Sequence, residues 1–226
     1  MTKANFQLLE SLDFLSKLSK NNNREWFEAN RKIYENCRAG FTMFIEHWLA
    51  GLKEKDILLA DLNAKSALFR INRDVRFSAN KSPYKVNFSA YLAKGGKKFP
   101  GAGYYFHLEP GASFFAAGVW MPEAPLLQAI RQEIDYNYLD FEKILSSSKF
   151  KKHFQELEGE RLSRPPKGYA PENPAIERIK HKSFIVSTKL NPEQQSSEEF
   201  LHHLLEVSTA SIPLVYFLNQ ALAESD

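Results

Sequence analysis

The chain holds one cysteine, Cys37, in 226 residues, so no internal disulfide can form and stability must come from a packed core. Its longest apolar stretch, Ile212 to Leu218, carries Pro213 and is far below the roughly 20 residues needed to cross a bilayer. The opening MTKANFQLLESL lacks the apolar region of a secretory signal, which points to the cytoplasm. There is no G-x-x-x-x-G-K-[ST] loop, no G-x-S-x-G elbow and no C-x-x-C, so the common nucleotide, hydrolase and dithiol signatures are missing and no cofactor is expected. Internal repeats and low-complexity linkers are also lacking. What remains is 43% apolar, 13% aromatic and 25% charged, a composition that excludes disorder, collagen-like repeats and small disulfide scaffolds.

A net charge of +3 is too small to imply nucleic-acid binding by itself. Its distribution says more. Residues 65–98 hold nine basic side chains and one acidic, whereas residues 190–226 hold six acidic side chains and no Lys or Arg. The basic block attracts anions, and the acidic segment either repels them or folds against that block.

Periodicity predicts a single α+β domain over 1–226, with an antiparallel meander of about five strands flanked by N-terminal and C-terminal helices. Helices are expected over 7–55. Leu8, Leu12, Leu15 and Leu18 share one helix face, Asn22 and Glu25 resemble a capping box, and Trp26, Ile33, Cys37, Phe41, Phe44, Trp48 and Leu52 form a second stripe that Gly40 bends or divides. Cys37 lies on that stripe and reads as core. Strands are expected within 67–120, as Ala67–Ile71, Val86–Leu92, Tyr104–Glu109 and Ser113–Trp120, and again over 183–188. Further helices are expected over 123–155 and, as two stretches with Pro213 near the start of the second, over 192–224. A Pro-rich loop occupies 163–174.

Chemistry concentrates in Arg70, Arg73 and Arg76, followed by Lys81, Tyr84 and Lys85. Guanidinium forks match carboxylate or phosphate, so the segment is either an anion site or a loop pinned by Asp74 and other acids. Strand parity places Asn87, Ser89 and Tyr91 on the face opposite Phe88, and Tyr105, His107 and Glu109 opposite Phe106, with Arg70 joining them. Such a face is either solvated or a ligand-binding floor. His107 and Glu109 point the same way, but two ligands are too few for a metal site, and none is expected. The stiff Arg164-Pro165-Pro166-Lys167-Gly168-Tyr169 segment either holds Lys167 and Tyr169 over a groove or simply crosses between elements.

The chain resembles the domain of unknown function 2461 family, mainly bacterial and fungal, over nearly its whole length. The resemblance rests on Asn21 to Phe27, Arg70 to Ser78 with Lys81 to Lys85, His107 to Gly111, Gly118 to Pro122, and Pro166 to Tyr169. It implies a soluble α+β domain, transfers no activity, substrate, cofactor or catalytic residue, and suggests that the basic segment and the Lys167 loop belong to the family pattern. The leading expectation is recognition of a phosphate-bearing small molecule or nucleic acid through Arg70, Arg73, Arg76, Lys81, Tyr84, Lys85, Tyr105 and Lys167. The rivals are an enzyme using His107 and Glu109 as acid and base on an anionic substrate, and a protein–protein interaction module. No membrane partner is expected, and the sequence leaves the oligomeric state open.

Overall fold

A computed structural model describes residues 6–223. In chain order the helices are α1 (Leu8–Lys20), α2 (Arg24–Ala29), α3 (Arg31–Lys53), α4 (Ala64–Ala67), α5 (Ala124–Tyr136), α6 (Tyr138–Ser146), α7 (Ser148–Lys151), α8 (Ile176–Ile179) and α9 (Ser197–Ala223). The strands are β1 (Phe88–Leu92), β2 (Gly103–Leu108), β3 (Phe114–Val119) and β4 (Phe184–Lys189), all antiparallel in the order β1-β2-β3-β4. The class is α+β, with four strands among the described residues where about five were expected. Within them no helix is long and apolar enough to cross a membrane.

The leucine face of α1 is buried, and its end is closed by Asn21, whose side-chain amide donates to Lys17 O at 3.0 Å. The cap of α2 is Asn23 rather than Asn22: Asn23 Oδ1 accepts from Trp26 N at 2.9 Å. Asn22 is thereby released for another task, described below. On α3 the stripe is buried from Cys37 to Leu52, but Ile33 is exposed. Gly40 neither bends nor divides α3. A methyl group there would come within 2.7 Å of Phe6 O, so the glycine permits close crossing of the N-terminal segment.

The missing fifth strand is Ala67–Ile71. Asn63 Oδ1 accepts from Lys65 N at 2.8 Å and starts the α4 turn, so the chain is still helical at Ala67. Beyond it the backbone touches β1 only through a bridge at Leu68 and Ala90 and a bond from Phe69 N to Ser89 O at 3.0 Å. The C-terminal region also differs from expectation. Pro192–Gln194 is a single 3-10 turn, and α9 then runs for 27 residues with Pro213 inside it. Ser196 and Glu199 form its capping box, with Glu199 Oε2 accepting from Ser196 N at 2.9 Å. The helix persists through Pro213 because it is packed between β3 and α3 on one side and α5 and α6 on another, and that burial outweighs one lost backbone bond. Glu224 and Asp226, the last acids of the charged tail, lie outside the described residues.

One sheet face is sealed. Phe88, Ala90, Tyr104, Phe106, Phe115, Val119, Phe184 and Val186 are buried beneath α3 and α9, where Phe41, Phe44, Trp48 and Phe200 pack on them. Trp48 Nε1 donates to Ser208 Oγ at 2.9 Å, satisfying the one polar atom of a wholly buried ring and joining the two covering helices. Among the described residues every buried apolar side chain except Ala93 belongs to one contiguous core.

His181, beyond α8, is fully buried, and neither ring nitrogen has a hydrogen-bond partner. Burial pushes its pKa down to about 4, with Arg161 and Arg178 adding to the shift and Glu177 opposing it. The unfolded chain takes up a proton near pH 6.5 and the folded chain does not until about pH 4, so stability falls as pH drops through that window. Denaturant unfolding at pH 7 and pH 4.5 should show a loss of about 2–3 kcal/mol from this residue. His181→Leu should remove that part of the pH dependence; an unchanged pH dependence in the variant refutes the assignment.

Candidate functional site

The second face of the sheet carries the alternate residues. Register sets Ser89 beside His107, Tyr91 beside Tyr105, Tyr105 beside Ala116, His107 beside Phe114, and Ala116 beside Ser187. Helices do not cover this face, and over it lies a groove of about 970 Å³. Gly103, Ala116, Gly118 and Ser187 keep its floor low, while Phe69, Tyr91, Phe99, Phe114 and Trp120 form its walls. Gly118 is obligatory: its φ is +118°, and a Cβ there would stand 2.0 Å from Phe184 O. A volume of this size suits a ligand of nucleotide dimensions, and the aromatic walls suit a flat or apolar body.

A polar chain starts at Tyr105, which lines the groove. Tyr105 Oη lies 2.9 Å from His107 Nδ1, and His107 Nε2 lies 2.7 Å from Glu109 Oε2. With Glu109 as a carboxylate and the imidazole neutral, Nε2 carries the proton and Nδ1 accepts from the tyrosine. The ring of His107 is stacked on Phe114, with centroids 4.8 Å apart and an angle of 21°. Ser113 fixes the β2–β3 turn, accepting from Glu109 N at 3.1 Å and donating to Glu109 O at 2.9 Å. Burial raises the pKa of Tyr105, a hydrogen bond with Ser89 opposes the rise, and the Glu109 charge adds to it.

The cations sort differently from their order in the chain. Arg76 is exposed and clasped by Asp74 through bonds of 3.0 and 2.7 Å. Arg73 braces its own loop, reaching Ser82 O and Ser78 Oγ at 3.4 Å each, and Lys81 donates to Val75 O at 3.1 Å. Tyr84 is buried, stacked on Phe27 at 3.9 Å. Its backbone is clamped by Asn22, whose Nδ2 donates to Tyr84 O at 2.9 Å and whose Oδ1 accepts from Tyr84 N at 3.1 Å. The 163–174 loop does not reach the groove; Tyr169 meets Gln128 of α5 at 3.4 Å, and Lys167 beside it is exposed. The one-residue shift at Leu68 also changes parity, so Phe69, not Arg70, lies beside Tyr105, with ring centroids 6.1 Å apart.

Two lysines meet at the ring of Phe69 and two arginines lie within the field of one of them; of these four cations Lys97 lines the groove. Lys85 Nζ stands 5.3 Å and Lys97 Nζ 5.4 Å from its ring centroid. Lys97 also donates to Leu68 O. Burial lowers the pKa of Lys85, and the charges of Arg70, Lys97 and Arg38 lower it further, which places all three within its field. Arg38, from α3, is half-buried with Nη1 sealed from solvent and without a hydrogen-bond partner. Among the described residues none of these four makes an ion pair. Arg70 and Lys85 belong to the segment singled out by the sequence, whereas Lys97 and Arg38 escaped it. Lys97 falls within the basic block 65–98, but no local pattern couples Arg38 to Lys85. Two acids of the 190–226 segment are engaged elsewhere: Glu206 pairs with Lys152 at 2.5 Å and Glu199 caps its own helix. No group of three or more possible metal ligands occurs among the described residues.

Residues 10–217 match the family described as Conserved hypothetical protein (DUF2461), and the chain belongs to that family. No curated protein and no solved structure matches it.

Asn22 positions Lys85 through the neighbouring Tyr84 backbone. Asn22→Ala leaves a half-buried carbonyl and N–H unpaired and should cost about 1–3 kcal/mol in denaturant unfolding. Amide exchange should accelerate over residues 72–86 and not in α9; uniform acceleration would show that the clamp is not local.

Proposed function

We propose that the groove binds a small molecule carrying a phosphate, with the anion held by Lys85, Lys97, Arg38 and Arg70 and the rest of the ligand lying along the aromatic walls toward Tyr105. The observation that carries this reading is the pair of lysines over Phe69, with Arg38 and Arg70 in the field of Lys85 and no ion pair to any of the four among the described residues. Bringing like charges together while partly removing them from water is unfavourable, and an anion relieves both costs. Guanidinium and ammonium donors to phosphate oxygens make short, charge-assisted bonds, whereas the one protein acceptor given above for this cluster is the Leu68 carbonyl, which takes a bond from Lys97. A compact cluster at one end of a groove favours a small ligand over a nucleic-acid backbone, because Arg73, Arg76 and Lys81, which would extend it into a stripe, are engaged in their own loop. Solution in the cytoplasm as a single domain is part of the same proposal.

Trp120, exposed on the groove wall, provides the signal. Titration with 1-naphthyl phosphate should change tryptophan emission, 1-naphthol should bind more weakly by a factor of ten or more, and Lys97→Ala should weaken the phosphate ester about tenfold. Arg76→Ala should leave affinity unchanged. Equal affinity for ester and alcohol, or no loss in Lys97→Ala, rejects the anion site. Tighter binding of a 20-mer oligonucleotide with a steep salt dependence would instead assign the cluster to nucleic acid.

A further inference from the structure

We propose that Tyr105 is a catalytic acid–base group, which withdraws an acidic hydrogen from the ligand in the groove while His107 takes the tyrosine's own proton and Glu109 holds the resulting imidazolium. The inference rests on the groove being a ligand site and adds an activity to it. Three observations carry it. Of the three residues Tyr105 lines the groove and His107 and Glu109 do not, so it is the member of the chain that a ligand can touch. The order of groups, hydroxyl, imidazole and carboxylate at 2.9 and 2.7 Å, is that of a proton acceptor oriented by an anion. The third is placement: Phe69 packs against Tyr105 and also lies under the Lys85 and Lys97 heads, so a ligand anchored by its phosphate presents its body to the hydroxyl.

The proton balance is complete without an oxidant or reductant. The bond from the ligand atom to its hydrogen breaks and leaves its electron pair on the ligand. The proton joins Tyr105 Oη, the phenolic proton passes to His107 Nδ1, and Glu109 accepts the hydrogen bond from Nε2 throughout. Because the hydroxyl gains one proton as it gives up another, no free phenolate has to stand in a site whose burial disfavours it. His107 and Glu109 act through Tyr105. The neighbours facing His107 from the adjoining strands, Ser89 on β1 and Phe114 on β3, add no charge that would compete with Glu109.

An aryl sulfonyl fluoride reads the relay without the natural ligand: the tyrosine oxygen attacks sulfur, fluoride leaves, and the phenolic proton goes to His107. Peptide mass spectrometry of the full chain should show Tyr105 modified faster than the exposed Tyr136, with no such adduct in Tyr105→Phe. Glu109→Gln should slow the modification about tenfold at an unchanged melting temperature. His107→Ala should slow it at least tenfold, and added imidazole should restore it, an effect that a purely structural histidine would not show. Modification of Tyr105 no faster than of Tyr136, or a rate indifferent to both substitutions, overturns the proposal. If His107→Ala fails to fold, Glu109→Gln alone decides, its carboxylate being partly exposed on a turn. Protection by 1-naphthyl phosphate separates the two readings: a relay that modifies rapidly but is not protected leaves Tyr105 activated while removing the phosphate site.

Discussion

Sealing one face of the four-stranded sheet beneath α3 and α9 is the constraint on which the other features depend. A strand alternates its side chains, so once Phe88, Tyr104, Phe106 and Phe115 are committed to that core, Ser89, Tyr105, His107 and Phe114 must point away from it. The long β3-to-β4 connection adds α5 to α8, and α5 and α6 pack on α9, not on the second face. Tyr105 is therefore left lining a groove instead of being buried in a second interface, with His107 and Glu109 behind it.

The cation cluster shows why density along a sequence is a poor guide to an electrostatic site. Three arginines in seven residues suggest convergence, yet the chain turns between them and each finds a local outlet, Arg76 on Asp74 and Arg73 on its own loop. An exposed ion pair of the Arg76 kind contributes little, but it removes that guanidinium from competition for a ligand. Two of the residues that do gather, Arg38 and Lys85, are half-buried. Arg38 and Lys85 have lost water without gaining a carboxylate, and the energetic cost of such crowding marks them more clearly than their position in the chain.

Much of this architecture is legible from residue periodicity. The leucines of α1, the stripe from Cys37 to Leu52 and the alternation in β1 and β2 each reflect burial on a single face, a property that local order in the chain encodes directly. Parity also put Tyr105, His107 and Glu109 together. The errors lie where tertiary contact overrides a local signal. Asn63 extends a helical turn to Ala67, and that single displaced residue exchanges Arg70 for Phe69 on the groove face. Pro213 marks a helix start when read locally, but α9 is held straight through it by neighbours on several sides. Asn22 and Asn23 are interchangeable as caps until the contact of Asn22 with Tyr84, 62 residues away, decides between them. Arg38 is the extreme case, since its relation to Lys85 exists only after α3 has docked.

That docking gives α3 two roles. Its apolar stripe closes the core face of the sheet, and one position beyond Cys37 it brings the charge of Arg38 within the field of Lys85. Phe69 then joins what the sheet keeps apart, with the two lysine heads over its ring and the Tyr105 ring against its side. A cation–π contact of this partly exposed kind contributes about 0.5–1 kcal/mol and neutralises no charge. Phe69 can therefore hold the ammonium groups in place while leaving their positive field directed at the groove. An aliphatic residue at this position would pack against Tyr105 but would offer the lysines no face to rest on. A carboxylate would hold the lysines and cancel the field. An aromatic ring is the side chain that positions both the cations and the tyrosine without consuming the charge.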